Sequence, residues 1–229
     1  MSIKKPFVSL LTPTYNRRQF IVQYLKYLRH QDYGGLIEIL IADDGTDPIK
    51  DLVISDNRIR YIQFNDKKPL GFKRNVLGEE AKGDILINID DDDYYPPSRV
   101  SHAVKQLTNG SNLIAGSSHS FSLNTLNGKI FEMGPFGSNH GTSGTLAFFK
   151  EYLKNHKFDD NLSAQEEPGF TKNFSEPMLQ LNPFETILII QHQINTWDKD
   201  LTSKKPCKYK LKDFIKNMDD RRFYKKLYR

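Results

Sequence analysis

The sequence predicts an α/β fold, with a mainly parallel central sheet flanked by helices and a smaller antiparallel region after it. Three observations predict it. Apolar, β-rich runs alternate with stretches of helical periodicity through the first part of the chain, the pattern of βαβ units covered on both faces. Polar clusters close three of those runs, and a hairpin signal replaces the alternation in the second half. At 229 residues with 38% hydrophobic content, the chain is long enough for one domain with a real core.

Taken in order, FVSLL (Phe7 to Leu11) is the first strand, and RRQFIVQYLKYLRHQ follows with Phe20, Ile21, Tyr24, Leu25 and Leu28 at helical spacing. IEILIA (Ile37 to Ala42) is the second strand and runs into the turn DDGTDP. IRYIQF (Ile59 to Phe64) is the third, GFKRNVLGEEAKG a short helix closed by Gly83, and DILINI (Asp84 to Ile89) the fourth. Beyond them, SFSLNTLNGKIFEM reads as a hairpin around Asn127-Gly128, a type I′ pair. GTSGTLAFFKEYLKNHKF runs from a glycine-rich turn through a strand into a helix, and ETILIIQHQINTW is a strand ending in polar residues. No internal repeat or long linker interrupts the chain.

Several classes lose support at once. No run approaches the roughly 18–20 apolar residues of a membrane span. The N-terminal apolar run is short, so the expectation is cytoplasmic synthesis. Cys207 is the only cysteine, which excludes an internal disulfide and a cysteine-based metal cluster. No G-x-G-x-x-G and no P-loop motif is present. The net charge is +5, but Lys204 to Arg229 carry 11 basic and 3 acidic residues, leaving 22 basic against 25 acidic before them. The basicity belongs to the tail, and a nucleic-acid partner is not expected of the body.

Parallel sheets of this kind bind ligands at the carboxyl ends of their strands. TPTYNR, DDGTD and DDDD all fall there. Asp90, Asp91, Asp92 and Asp93 repel one another, and burying even one unpaired carboxylate is costly. Something positive is required, unless the segment is simply an exposed acidic turn. In extended backbone Asp90 and Asp92 share one face and Asp91 and Asp93 the other. Hard oxygen donors of that kind suit Mg²⁺ or Mn²⁺.

The ordered set VSLLTPTYNR, IEILIADDGTD, GFKRN and DILINIDDDDYYPPSR resembles the family 2 glycosyltransferases of GT-A fold, well over roughly residues 6–107 and more loosely to about 197. The resemblance implies a GT-A-like, Rossmann-like sheet and a sugar transfer, with inversion, from a nucleotide diphosphate to a glycan, glycoprotein or lipid hydroxyl. It divides residues 1–203 into a nucleotide-binding half (1–107) and an acceptor half (108–203), with 204–229 as a basic segment. Position by position, it implies that Thr12, Pro13 and Tyr15 line the nucleoside pocket and that Asn16 and Arg17 shape the turn. Asp44 would accept from the base, and Lys73 or Arg74 would lie near base or diphosphate. Asp90 or Asp91 would meet the ribose, Asp92 the metal (Mn²⁺ or Mg²⁺), and Asp93 would be a supporting acid.

In the family, the acceptor hydroxyl is deprotonated by the acid of an E-D pair. The nearest match is SAQEEPGF, which makes Glu167 the base; the competing reading is a helix capping box of Ser163 with Glu166. His192, in IIQHQINTW, resembles a late H-x-x-N segment that approaches metal or diphosphate, with Asn195 and Trp197 closing the sugar site. GSNHGTSG, around His140, reads as an acceptor-side loop. In the tail, Leu211, Phe214, Ile215 and Met218 lie at the spacing of an amphipathic helix. Such a helix packs on its own domain or contacts a membrane surface or acidic partner. A nucleotidyltransferase, or a binding module acting through the basic tail, are the alternative functions.

Overall fold

The first strand is longer than its apolar run. In the computed structural model, which describes residues 4–195 and 206–227, β1 spans Val8–Thr14 and every residue of it is buried. The polar TPT thus belongs to the strand. β2 (Ile37–Asp43) and β4 (Ile85–Asn88) pair with it in parallel on either side, and β3 (Ile59–Gln63) pairs in parallel with β2. The seven-stranded sheet runs β3-β2-β1-β4-β8-β5-β9, with β5 at Ile114–Gly116, β8 at Ala147–Phe149 and β9 at Leu179–Gln180. Only β8 runs against its neighbours.

Alternation along the central strands feeds two apolar layers. Leu10, Ile39, Ile41, Ile85 and Ile87 face α1 (Arg18–Arg29), whose Ile21, Tyr24, Leu25 and Leu28 pack on them. α2 (Lys50–Val53) and α4 (Arg99–Asn109) contribute Val53, Val100 and Ala103 to that layer. Leu11, Leu40 and Leu86 face the other way, toward Leu77 of α3 (Leu70–Glu80) and toward Phe148, Phe158 and Phe170. α3 ends at Glu80, three residues before Gly83. Gly83 instead sits against the backbone of Ser9 and Phe7, where a Cβ would lie 2.6 Å from the Ser9 nitrogen.

The hairpin is β6 (Ser120–Asn124) with β7 (Lys129–Met133), and its register pairs Asn124 with Lys129. Four residues therefore make the loop, with only Gly128 left-handed (φ 66°), so the type I′ expectation is corrected. β10 (Leu188–Gln191) adds to β6 in parallel, which makes the small sheet mixed instead of purely antiparallel. After β8 the expected helix is a 3₁₀ turn at Lys150–Lys154. Short helices α5 (Glu167–Phe170) and α6 (Pro183–Thr186) complete the second half.

The tail differs most from expectation. It forms two helices, α7 (Leu211–Phe214) and α8 (Met218–Lys226), because Asn217 accepts from the Asp219 and Asp220 N–H groups and starts a new helix. Leu211, Phe214 and Ile215 are buried with Tyr27, Phe121 and Leu188, while Met218 is 56% exposed. Lys26 and Gln23 of α1 both donate to Asp220, at 2.6 and 2.7 Å. One continuous amphipathic helix with a free apolar face is therefore ruled out over these residues. Among the described residues, no helix is long and apolar enough to cross a membrane.

Candidate active site

The four aspartates do not continue β4 as extended chain; Asp91 to Asp93 form a bend. Their carboxylates consequently part in a way that simple alternation misses. The Asp90 Oδ1 accepts from Arg74 Nη2 at 3.1 Å. Asp91 and Asp92, expected on opposite faces, both approach Arg17, whose Nε lies 4.0 Å from Asp91 Oδ1 and 3.3 Å from Asp92 Oδ2. Asp93 accepts from the Ile190 N–H at 2.7 Å and so ties the bend to β10. The positive charge that four carboxylates demand comes first from Arg17 and Arg74.

Arg17, expected to shape the turn, makes no side-chain cap for α1. The clue to its partners is register. β1 and β4 are parallel with Leu11 opposite Asn88, so the residues after Thr14 rise beside those after Asp91. Even so, Asp91 stays under-compensated. Its Oδ2 is buried with no hydrogen-bond partner among the described residues, and burial, then Asp92, pushes its carboxyl well above the usual range. Burial raises Asp90 too, against the pull of Arg74.

Two residues expected at the nucleotide are engaged with partners inside the protein. The Thr12 hydroxyl is buried and shares a 2.6 Å hydrogen bond with Tyr24 OH, which turns it toward α1. The Asp44 side chain is 0% exposed, since Lys73 Nζ (2.5 Å) and the Lys68 N–H (2.6 Å) both donate to it. Lys73 is itself buried, which lowers its pKa although Asp44 opposes the shift. The neighbouring Asp43 builds the turn, accepting from Gly45 N–H, Ile49 N–H and Tyr61 OH. Pro13 and Tyr15 do line a cavity of about 200 Å³, together with Lys73, Arg74 and the aspartates.

A second cavity of about 430 Å³ adjoins the first, and Leu70, Arg74, Asp90, Asp93 and Ile189 wall both. Glu166 and Glu167 line the second one. Glu166 Oε1 accepts from Arg74 Nε and Ser143 Oγ, each at 2.8 Å. Burial works against its charge, but Arg74 and Ser143 hold its carboxyl below the ordinary value. Glu167 accepts from the Ser143 N–H at 2.8 Å, and burial, then Glu166, raises its pKa. Ser163 plays no part in capping α5, so the capping-box reading falls away.

His192 does come to Asp92. Its Nε2 lies 3.1 Å from Asp92 Oδ2, and its ring stacks on Phe20 with centroids 4.6 Å apart. Nδ1 accepts from the Ile194 N–H at 3.3 Å, and Nε2 lies between Asp92 Oδ2 and the Asn195 amide nitrogen at 3.3 Å. Asn195 lies on the smaller cavity, whereas Trp197 is outside the described residues. Among the described residues no three His, Cys, Asp or Glu side chains form a metal cluster. The donor chemistry nevertheless fits a hard divalent ion. Asp90 and Asp92 offer carboxylate oxygens at one cavity, the orphaned Asp91 Oδ2 adjoins them, and ions of this kind complete their shell with phosphates and water.

Carboxylates at the ends of parallel strands thus face a second acidic pair across one arginine, an arrangement that fits the GT-A fold expected from the sequence. The model of the family "Glycosyl transferase family 2" matches residues 9–166, and the chain belongs to that family. It is 33% identical over 101 residues to the "Putative colanic acid biosynthesis glycosyl transferase WcaA" of Escherichia coli, covering 42% of this chain and 36% of that one. It is 30% identical over 112 residues to the "GalNAc(5)-diNAcBac-PP-undecaprenol beta-1,3-glucosyltransferase" of Campylobacter jejuni, covering 46% and 36%. The matched stretch is thus little more than a third of either relative.

Among solved structures, the fold is similar to the mannosyltransferase PcManGT from Pyrobaculum calidifontis in complex with GDP-Man and Mn²⁺. That match has a TM-score of 0.63 at 16% identity over 83% of this chain and 57% of that one. It is also similar to S. aureus TarS 1–349 in complex with UDP-GlcNAc, at a TM-score of 0.62 and 18% identity over 88% and 61%. The GT-A fold expected from the sequence is the fold observed.

Proposed function

We propose that this protein transfers a sugar, with inversion, from a nucleotide diphosphate to a hydroxyl group on a glycan, glycoprotein or lipid, UDP being the best fit to the donor. One observation carries the reading: two cavities meet at Arg74, which bridges Asp90 of the smaller to Glu166 of the larger. Donor and acceptor bound in them meet at that wall. The UDP-GlcNAc complex of TarS and the lipid-linked acceptor in the Campylobacter relative's name support the substrate class.

In the smaller cavity Pro13 and Tyr15 receive the nucleoside, and Lys73 and Arg74 bring positive charge to the diphosphate. Asp90 and Asp92, with Asp91 beside them, would hold Mn²⁺ or Mg²⁺, which when bound supplies charge stabilisation for the departing diphosphate. In the larger cavity the acceptor oxygen bonds to the anomeric carbon as the bond to the diphosphate oxygen breaks. Its proton passes to Glu167. Glu166, already committed to Arg74 and Ser143, holds the pair in place. Ser143 fixes Glu167 through its backbone N–H and leaves the other carboxylate oxygen for the acceptor.

A thermal-shift panel of UDP-, GDP- and dTDP-sugars, each with and without Mn²⁺, tests donor and metal together. UDP-sugars should raise Tm only when Mn²⁺ is present, and Asp92→Ala should remove that effect. No nucleotide-dependent shift in the wild type would overturn the reading.

A further inference from the structure

We propose that Phe136 and His140 form a platform in the larger cavity on which an uncharged acceptor sugar ring stacks. The proposal rests on the reading that this cavity receives the acceptor. Both residues line it, and Phe136 is 53% exposed there. A large aromatic ring left in a cavity beside polar, reactive groups is what the C–H face of a pyranose packs against. The aliphatic hydrogens meet the electron-rich ring face while the hydroxyls stay at the edge.

The ring is not loose. Phe136 and His140 have centroids 5.0 Å apart, and His140 stacks on Phe174 at 4.4 Å with planes 28° apart. Phe174 is held there by a backbone that proteins seldom adopt: Lys172, Asn173 and Phe174 are all left-handed, with φ of 48°, 56° and 57°. Gln180 Nε2 donates to the carbonyls of Ser138 (2.7 Å) and His140 (3.1 Å), and the Phe136 N–H donates to Ser118 O at 3.2 Å. The Nδ1 of His140 has no hydrogen-bond partner among the described residues, and none of the core packing accounts for the exposed Phe136.

Charge decides the class of sugar. Among the described residues, the cavity wall carries Asp90, Asp93, Glu166 and Glu167 and one cation, Arg74, which Asp90 and Glu166 share. Burial lowers the His140 pKa, so that imidazole adds no positive charge at neutral pH. With Asp90 committed to Arg74 and the metal and Glu166 to Arg74, Glu167 is the carboxylate that faces the acceptor, so a carboxylated sugar is repelled there and a neutral one is not.

The test is saturation-transfer difference NMR on the full chain with UDP and Mn²⁺, using methyl glycosides as probes. The set is the glucoside, galactoside, mannoside and N-acetylglucosaminide, with the glucuronide as the anionic counterpart. At least one neutral glycoside should receive saturation, the glucuronide should not, and Phe136→Ala should weaken the neutral signal by about fivefold while Phe136→Tyr restores it. Phe136 is mostly outside the core, so a circular dichroism melt should match the wild type. Equal signals in wild type and Phe136→Ala, equal signals for glucoside and glucuronide, or no neutral signal at all would each overturn the platform. UDP binding measured alone separates the two readings: if Phe136→Ala binds UDP normally, a lost platform leaves the donor assignment standing, and if the wild type binds no nucleotide, the functional reading fails instead.

Discussion

Two adjacent glutamates, identical in chemistry, are shifted in opposite directions by what surrounds them. Glu166 is clamped by a buried guanidinium, whereas Glu167 accepts from the Ser143 backbone N–H and is repelled by its neighbour. The expected consequence is a sharp contrast between variants. Glu167→Gln should lower kcat by about 10²–10⁴-fold with donor binding intact, measured by UDP release and by nucleotide titration. Glu166→Ala should instead lower Tm, because it leaves Arg74 with half its counter-charge, a loss of about 3–5 kcal/mol for a broken buried pair. The raised pKa of Glu167 also fixes a sign. Activity should climb as pH rises through that raised value, since a base acts deprotonated. Its share of folding stability moves the other way, full below the unfolded glutamate pKa and lost as pH passes the folded one. A pH–rate profile and melts over the same range check both. The sequence pointed to this pair, with Glu167 as the base, but not to what sets the two apart, because the partner of Glu166, Arg74, is 92 residues away.

At the scale of elements, the site depends on how the chain leaves β4. The Asp90 N–H donates to Tyr95 OH at 2.8 Å, and that hydroxyl in turn reaches Gly144 O at 3.3 Å. A Cβ on Gly144 would lie 2.7 Å from Asp90 Oδ2, so a larger residue there requires that carboxylate to move. Gly144→Ala is expected to displace Asp90 and weaken metal-dependent UDP binding more than it lowers Tm, a contrast read by calorimetry and thermal shift. Arg99, the first residue of α4, ties the same elements from behind. It is 0% exposed and donates through Nη2 to Thr145 O and Leu146 O at 2.9 and 3.0 Å. Burial without a carboxylate partner brings its pKa down to about 10. Arg99→Met removes both bonds; Leu146 O keeps the Asn88 N–H at 3.1 Å, whereas Thr145 O loses its side-chain donor at about 1–3 kcal/mol, so Tm should fall. The order of strands in the sheet was not legible from apolar runs, whereas the first four strands and the clustering of acids at strand ends were. The bend at Asp91–Asp93 was not, since alternation assumes extended backbone and the partners that bend it, Arg17 and Ile190, come from other elements.

Across the whole molecule, the periodicity of the tail was legible and its meaning was not. Leu211, Phe214 and Ile215 read as one apolar face, and they are one, but that face closes the small sheet against α1. A sequence shows that a stripe must be covered and does not show by what. The structure converts this into a discriminating experiment. If the stripe serves the core, Ile215→Ala costs about 2–5 kcal/mol and lowers Tm by roughly 5–15 °C, while leaving every lysine of the tail in place. If the stripe served a membrane surface, the same variant would melt like the wild type and lose binding to anionic vesicles. Removing 204–229 altogether is a poorer test, because four buried side chains (Leu211, Phe214, Ile215 and Tyr224) at about 1.5–3 kcal/mol each approach the whole stability of an ordinary domain. The truncated chain should therefore elute as aggregate on size exclusion, and vesicle binding by such material would report exposed core instead of a designed contact. Charge reversal at Lys212, Lys216, Lys225 and Lys226, all on the surface, is the matching variant for the electrostatic part. It should preserve Tm, and any vesicle binding that survives it at low salt would show that the basic tail is not what holds the protein to the membrane.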